Sequence, residues 1–413
     1  MERRQFLEAA GALLGVSAAW RAESPPPLPD PKLRQRDPEQ YWKRIREEQF
    51  LLPNWRAFLN NGSLGVAPKL VVKAVADYLA SSAALEMDYY PRWGYETLDE
   101  FRQELAAFFG CRKDELAITH NATEAMSMIA AGLDLKPGDE IVITDQEHPS
   151  GRGCWQMKAA RHGLTLREIP IPLPPESPEQ LAELLIRSLG PKTRVLSFSG
   201  ITSPTGLVMP VREICTAARA KGVITVVDGA HMHGQIDFRI SDLNCDYLAG
   251  SPHKWMFAPA GSGLLYIREE NLEKLWPTII SGGWNETKLK AARFMNVGTN
   301  NRAIVEGMMA GLRFYQQLGP EAVRDRMHQL ARYLRSRAAE CPHVELLTPE
   351  DDRMYAALVT IRFKQDDLKK FHELLQAKRV WCFQSKQVRL AVHVHTRPQD
   401  IDLYFDLLRE ALG

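Results

Sequence analysis

Two residues near the middle of the chain have the types and the spacing to do chemistry together. Asp228 closes the apolar run Val223–Val227, which reads as a buried strand. Lys254 follows a second short run, Asp246–Ala249, within Gly250-Ser251-Pro252-His253-Lys254. In an open α/β sheet ligands bind beyond the carboxyl ends of the strands, where both side chains would stand. A carboxylate and an amine at that edge suit a cofactor that needs an anion at one end and an amine at the other. Pyridoxal phosphate has those needs: its aldehyde condenses with a lysine, and its ring nitrogen stays protonated beside an Asp. The competing reading of the pair alone is a strand-end Asp and an unrelated surface Lys.

The flanking pattern supplies the sheet that would position them. Leu116–Thr119, Glu140–Asp145, Glu168–Ile171 and Arg194–Gly200 read as strands, and Pro178–Leu189 and Pro210–Lys221 as helices. Alternation from Leu116 to Ile267 predicts an α/β fold whose mostly parallel sheet is covered on both faces. The turn His120-Asn121-Ala122-Thr123-Glu124 leads a strand into a helix. Free N–H groups there make either an anion site or a plain N-cap on Asn121 or Thr123. His148, past the end of Glu140–Asp145, could lay its ring on a cofactor or be an ordinary loop histidine.

Beyond Ile267 come two helices, Ile304–Leu318 and Glu321–Glu340. Met354–Phe363, Asp366–Arg379, Val388–Val392 and Pro398–Leu412 then alternate as a smaller α/β domain. Arg389 lies inside an apolar strand, where a charge is costly unless paired. Upstream, Pro38–Glu48 reads as a helix and Pro68–Leu79 as another. Between them Phe58–Gly65 is a strand that breaks at Gly62 and Gly65, residues that let a backbone pass close to a neighbour. Tyr89, Tyr90, Trp93 and Tyr95 with Arg92 read first as a packing corner.

At 413 residues the chain exceeds what one core usually serves. The expected division is 38–60 packing on the small domain, 61–305 the large domain and 306–413 the small one. A net charge of +1 gives no reason to expect nucleic acid as a partner. Six cysteines without CxxC spacing read as free thiols. Arg3-Arg4-Gln5-Phe6-Leu7 before the weakly apolar run Ala9–Ala19 reads as a twin-arginine export signal over residues 1–23. The run is too short to be a membrane span. A stiff proline-rich linker, 24–37, is expected to follow. The mature protein is then expected in the periplasm or outside the cell, the cytoplasm being the alternative.

Taken together, these stations resemble the class V aminotransferase family of fold-type I pyridoxal-phosphate enzymes, from about Phe58 to Leu412. Val227-Asp228-Gly229-Ala230-His231 with Ser251-Pro252-His253-Lys254 carries the likeness. Asn60-Asn61-Gly62-Ser63-Leu64-Gly65 and Thr202-Ser203-Pro204-Thr205-Gly206 are more similar to the isopenicillin N epimerase-like branch than to the desulfurases. The resemblance implies a large domain with a mostly parallel, seven-stranded type of sheet between helices. It implies that Lys254 binds the cofactor's aldehyde and moves the α-proton, that Asp228 holds the ring nitrogen, and that His148 stacks on the ring. His231 and Ser203 fall near its phenolic oxygen, and Asn121, Ala122, Thr123, Ser251 and His253 match the phosphate cup. Gly298 and Thr299 match a segment that reaches the neighbouring subunit's phosphate, implying a homodimer with composite sites. Arg389 matches an arginine that grips the carboxylate of an amino-acid substrate, with Asn61 nearby.

The likeness leaves the reaction open among transamination, epimerisation and lyase action. Desulfuration is disfavoured: Cys382, read as part of a strand, has no long loop before Arg389 to carry it over a substrate, and a reactive thiol must be exposed and activated. An epimerase needs a second acid/base opposite Lys254, and no residue declares itself. Two further readings remain: an exported, non-catalytic binding protein, and a metal enzyme using His231 and His233 or His393 and His395. The latter lacks a third ligand at useful spacing, so no metal is expected.

Overall fold

A strand built only of apolar and small residues must be covered on both faces, and several strands of the large sheet are. The computed structural model describes residues 25–84 and 93–413. The twin-arginine segment, Ser24, and Tyr89, Tyr90 and Arg92 of the aromatic cluster lie outside them. Helices Pro31–Arg36 and Pro38–Gln49 precede the first strand, β1 (Ala57–Phe58). The large sheet follows: β2 (Leu116–Thr119), β3 (Glu140–Thr144), β4 (Thr165–Ile169), β5 (Thr193–Ser199), β6 (Ile224–Gly229), β7 (Tyr247–Gly250) and β8 (Gly263–Ile267). Its order is β2-β8-β7-β6-β5-β3-β4, with only β8 antiparallel to its neighbours. Strands β2, β7 and β8 are buried at every residue, whereas β4 at the edge exposes Thr165 and Glu168. Register fixes the chemistry: Asp228 pairs with Ser199 on one side and Ala249 on the other. Asp228 thus ends one strand beside the strand that leads into Lys254.

The smaller C-terminal domain has its own antiparallel sheet, β12-β10-β9, made of β9 (Val344–Leu346), β10 (Leu358–Phe363) and β12 (Gln387–Ala391). Helices Pro320–Ala339, Lys369–Ala377 and Pro398–Leu412 accompany it. A two-residue strand, β11 (Val380–Trp381), pairs in parallel with β1, tying the N-terminal segment to this domain.

Several expectations change. Within the expected linker 24–37, the described residues 25–37 do not run extended throughout: Asp30 caps a helix with Pro31 in its first turn, accepting from the Lys32 N–H at 2.9 Å. The segment is docked, with Gln49 donating to the Pro26 carbonyl and Arg34 to that of Leu318. Asp-Pro is a helix start, and it outweighs the extended bias of the prolines before it. The boundary at 305/306 falls inside helix Arg302–Leu318, which Asn301 caps. β4 starts earlier than Glu168–Ile171, and β10 later than Met354, because Asp351 caps a short 3₁₀ turn, Asp352–Met354, ahead of it. Cys382 lies just beyond β11 rather than in a strand.

One buried cation anchors the N-terminal segment. Arg46 is 1% exposed and donates to the carbonyls of His395, Pro53 (3.2 Å) and Arg56 (2.6 Å), with Asp400 at 3.7 Å. Removing it takes a donor from the carbonyls of His395 and Arg56, whereas the Pro53 carbonyl keeps the Arg56 N–H at 3.1 Å and Asp400 keeps the Arg397 guanidinium. Arg46→Met is therefore expected to lower stability by about 2–3 kcal/mol, the cost of buried carbonyls that lose a charged donor, read as an earlier midpoint in urea unfolding. An unchanged midpoint would show that the segment is held by other contacts.

Candidate active site

The ends of β3, β5, β6 and β7 and the start of helix Ala122–Gly132 surround one cavity of about 200 Å³. Asp228 is buried in its wall, with Oδ1 accepting from the Ala230 N–H at 2.9 Å. Oδ2 is kept clear by Gly151, where a Cβ would come to 3.3 Å from it. Lys254 stands in the short helix Pro252–Trp255 that follows β7, its Nζ 3.0 Å from His231 Nε2. Loss of solvent brings its amine down to about 8; Asp228 opposes that shift and Arg389 adds to it.

Arg389 reaches the same place from β12. Its Nη1 donates to the Ser203 carbonyl and lies 3.3 Å from Ser203 Oγ and 3.5 Å from His231 Nε2. No carboxylate among the described residues pairs with it, its Nε has no partner, and desolvation lowers it to about 10. The charge read as costly in an apolar strand is thus left unpaired and aimed at the cavity.

The remaining expected residues divide into those the fold gathers and those it does not. Ala122, Thr123, Ser251, His253, His148 and Ser203 line the cavity, as does Asn121. Ser251 Oγ accepts from the Ala122 N–H at 3.1 Å, and the His253 ring is tied to the Ser262 carbonyl at 2.8 Å. Asn61 is placed differently: fully buried, it donates to the Lys254 carbonyl at 2.7 Å and meets His395 Nε2 at 3.2 Å. Its amide holds the lysine turn and is not offered to a substrate. Gly65 serves the same turn, since a Cβ there would sit 2.3 Å from the Lys254 carbonyl oxygen. The close approach allowed by the glycines is to Lys254 backbone and, at Gly62, to the Arg389 guanidinium. Gly298 and Thr299 do not line this chain's own cavity, though Asn300 beside them is held to the His120 ring at 2.7 Å.

Three contributors escaped the sequence reading. Gly151 and Ser199 line the wall by Asp228, and Trp255 donates its indole N–H to His231 Nδ1 at 3.2 Å. Only Trp255 carried a signal, its place next to Lys254. The histidine pairs do not act as pairs: His233 turns away to the Gly229 carbonyl, and the rings of His393 and His395 stack on each other past the end of β12. Among the described residues no three His, Cys, Asp or Glu gather as a metal site. The donor set fits pyridoxal phosphate instead. An open carboxylate oxygen, a partly deprotonated amine and the positive end of helix Ala122–Gly132 face one space.

The depressed amine has a direct consequence. Reductive methylation of Lys254 in the cofactor-free protein, followed by peptide mass spectrometry, should rise with pH about a midpoint near 8. Arg389→Gln removes a neighbouring positive charge, favours the protonated amine and should move that midpoint upward. A midpoint in the ordinary lysine range would contradict the assigned environment.

Comparison with known proteins agrees with this geometry. The profile of the family described as Aminotransferase class-V matches residues 58–388. The chain is 32% identical over 393 residues to isopenicillin N epimerase of Streptomyces clavuligerus, covering 90% of this chain and 98% of the relative. It is 29% identical to a cysteine desulfurase of Escherichia coli O127:H6, covering 71% of this chain and 75% of the relative. Among solved structures, a variant of the C-S lyase C-DES with glycine covalently linked to its pyridoxal-phosphate cofactor superposes with a TM-score of 0.75. It is 27% identical and covers 86% of this chain and 96% of that one. The chain therefore belongs to the class-V aminotransferase family and is a pyridoxal-phosphate-dependent enzyme of fold type I.

Proposed function

We propose that this enzyme takes and returns the α-proton of a small amino acid or amino-acid derivative bearing a free carboxylate, in the manner of the isopenicillin N epimerase-like branch. The observation that carries the reading is that Lys254 and Asp228 line one cavity and the unpaired Arg389 stands beside it, 3.5 Å from His231 of its wall. Bound pyridoxal phosphate supplies an electron sink that acidifies the α-proton. Lys254 would anchor the cofactor and move that proton, and a depressed amine suits both tasks. Asp228 would face the ring nitrogen and His148 the ring, while Ala122, Thr123, Ser251 and His253 receive the phosphate. Arg389 grips the substrate carboxylate through the two-pronged geometry of a guanidinium.

Likeness to an epimerase across 98% of its length favours epimerisation over transamination or lyase action. Desulfuration is disfavoured on a thiol argument. Cys382 lines a separate cleft with Arg56, Trp381 and Phe383, and desolvation raises its thiol to about 12. Gly298 and Thr299, standing away from their own cavity, are proposed to serve the neighbouring subunit of a homodimer. Export by the twin-arginine segment belongs to the same proposal, since a route for folded proteins suits a cofactor-loaded passenger.

Incubating the enzyme with a panel of amino acids in D₂O separates the reactions. Deuterated D-enantiomer is expected, without keto acid or ammonia. Keto acid would reassign the reaction to transamination, and ammonia to elimination; no solvent deuterium in any substrate would sink α-proton chemistry. Lys254→Ala should abolish turnover. Arg389→Lys should raise KM ten- to a hundredfold, about 1.5–3 kcal/mol of charge-assisted hydrogen bonding. Replacing Arg3 and Arg4 by Lys should leave the precursor in the cytoplasm; unchanged export, or none by the native chain, refutes that address.

A further inference from the structure

The hydrogen bonds around His231 fix where its proton is. Trp255 Nε1–H can only donate, and at 3.2 Å it donates to His231 Nδ1. That nitrogen must then be unprotonated. Burial, with the positive fields of Lys254 and Arg389, holds the imidazole well below its usual pKa, so the ring is neutral. A neutral ring with an unprotonated Nδ1 carries its proton on Nε2. The indole itself cannot swing: Trp255 is fully buried, and the His393 ring stacks on it at 5.9 Å and 13°.

The charged and titratable neighbours do not upset this assignment. Lys254 and His253 face His231 from the turn after β7, Arg389 from β12 and His148 from the turn after β3, and each disfavours an imidazolium. Asp228, three residues earlier, lines the same cavity but has its Oδ1 on the Ala230 N–H. Nε2–H therefore points at two groups. Lys254 Nζ at 3.0 Å can accept while it is neutral. Arg389 Nη1 at 3.5 Å cannot accept at all, so that contact sets donor against donor. An anionic oxygen placed between these two N–H groups would accept from both, in addition to the bond Arg389 Nη1 already gives the Ser203 carbonyl.

We propose that Trp255 is a positioning residue that locks His231 in the Nε2–H tautomer. His231 thereby becomes a permanent donor to an anionic oxygen beside Arg389, and its Nε2 does not serve as the proton-abstracting base. That such an oxygen comes from bound cofactor or substrate rests on the function proposed above; the tautomer does not. His148 follows the same rule, its Nδ1 accepting from the Ser150 N–H at 3.2 Å. An epimerase using this pocket would draw its second base from elsewhere than His231 Nε2.

Nitrogen NMR of the holoenzyme labelled in its histidine and tryptophan rings tests the lock. The His231 signals are identified by their absence in His231→Gln. They should show one protonated nitrogen, Nε2, and an unprotonated Nδ1 that couples through the hydrogen bond to Trp255 Nε1. The pattern should not titrate between pH 6 and 8, where a free histidine, with its pKa of about 6.5, changes charge. An Nδ1–H tautomer, an imidazolium or the lack of that coupling in the unaltered enzyme overturns the proposal. In Trp255→Phe the single-tautomer pattern should be lost and the titration midpoint should rise. An unchanged pattern in folded Trp255→Phe overturns the role of the indole. The direct coupling in the unaltered enzyme decides the matter if that variant does not fold. All of these readouts are independent of turnover, so they stand or fall apart from the reaction assigned.

Discussion

The structure around the cavity depends on one electrostatic imbalance. Lys254 and Arg389 are withdrawn from water into a space walled by a single carboxylate, Asp228, and by histidines kept neutral. Charges so placed are costly, and an unpaired cation relaxes by losing its proton or by finding an anion. Lys254 takes the first course and its amine falls to about 8. A guanidinium hardly can, which leaves Arg389 waiting for an oxygen. The same field that frees one nitrogen to react thus reserves the other for binding.

Holding such a site takes support from distant chain. The lysine turn has no helix of useful length behind it, only Pro252–Trp255. Asn61, the Gly65 N–H at 2.9 Å from the His253 carbonyl, and the packed indole of Trp255 supply what the turn lacks. Asn61 and Gly65 belong to the segment that also pairs, through β1, with β11 of the small domain. Arg389 arrives from β12, whose Ala391 donates its N–H to the Leu59 carbonyl at 2.9 Å. Cofactor lysine and substrate arginine are therefore indexed to each other through a few residues of N-terminal backbone.

That indexing explains what could be read beforehand. Asp228, Lys254 and His148 were legible because each follows an apolar run, and strand ends converge in an α/β sheet whatever the detailed packing. Arg389 was legible as a charge in the wrong place. Asn61 was misread because its sequence neighbourhood marks a turn but not what the turn touches; only the tertiary fold reveals a carbonyl 2.7 Å away. The docked helix Pro31–Arg36 was hidden by prolines that bias toward extended chain until Asp30 caps it. Gly151, two sheet strands from Asp228 in order, could not be matched to that carboxylate without the register of β3, β5 and β6.

Behind Asp228 the fold buries a second carboxylate, and it does so without adding a second full charge to the wall. Glu147 is fully enclosed, accepting from Thr144 Oγ1 at 2.5 Å and from the Ser199 hydroxyl at 2.7 Å. Burial raises it to about 7; the two hydroxyls pull the other way, and the charge of Asp228 pushes it further up. Ser199 is the strand neighbour of Asp228, so the two acids are linked through one residue. Because burial disposes Glu147 to keep its proton near neutral pH, it does not stand as a full second charge beside Asp228. The negative potential of this wall is then concentrated at the oxygen that Gly151 leaves open, where a protonated ring nitrogen needs it.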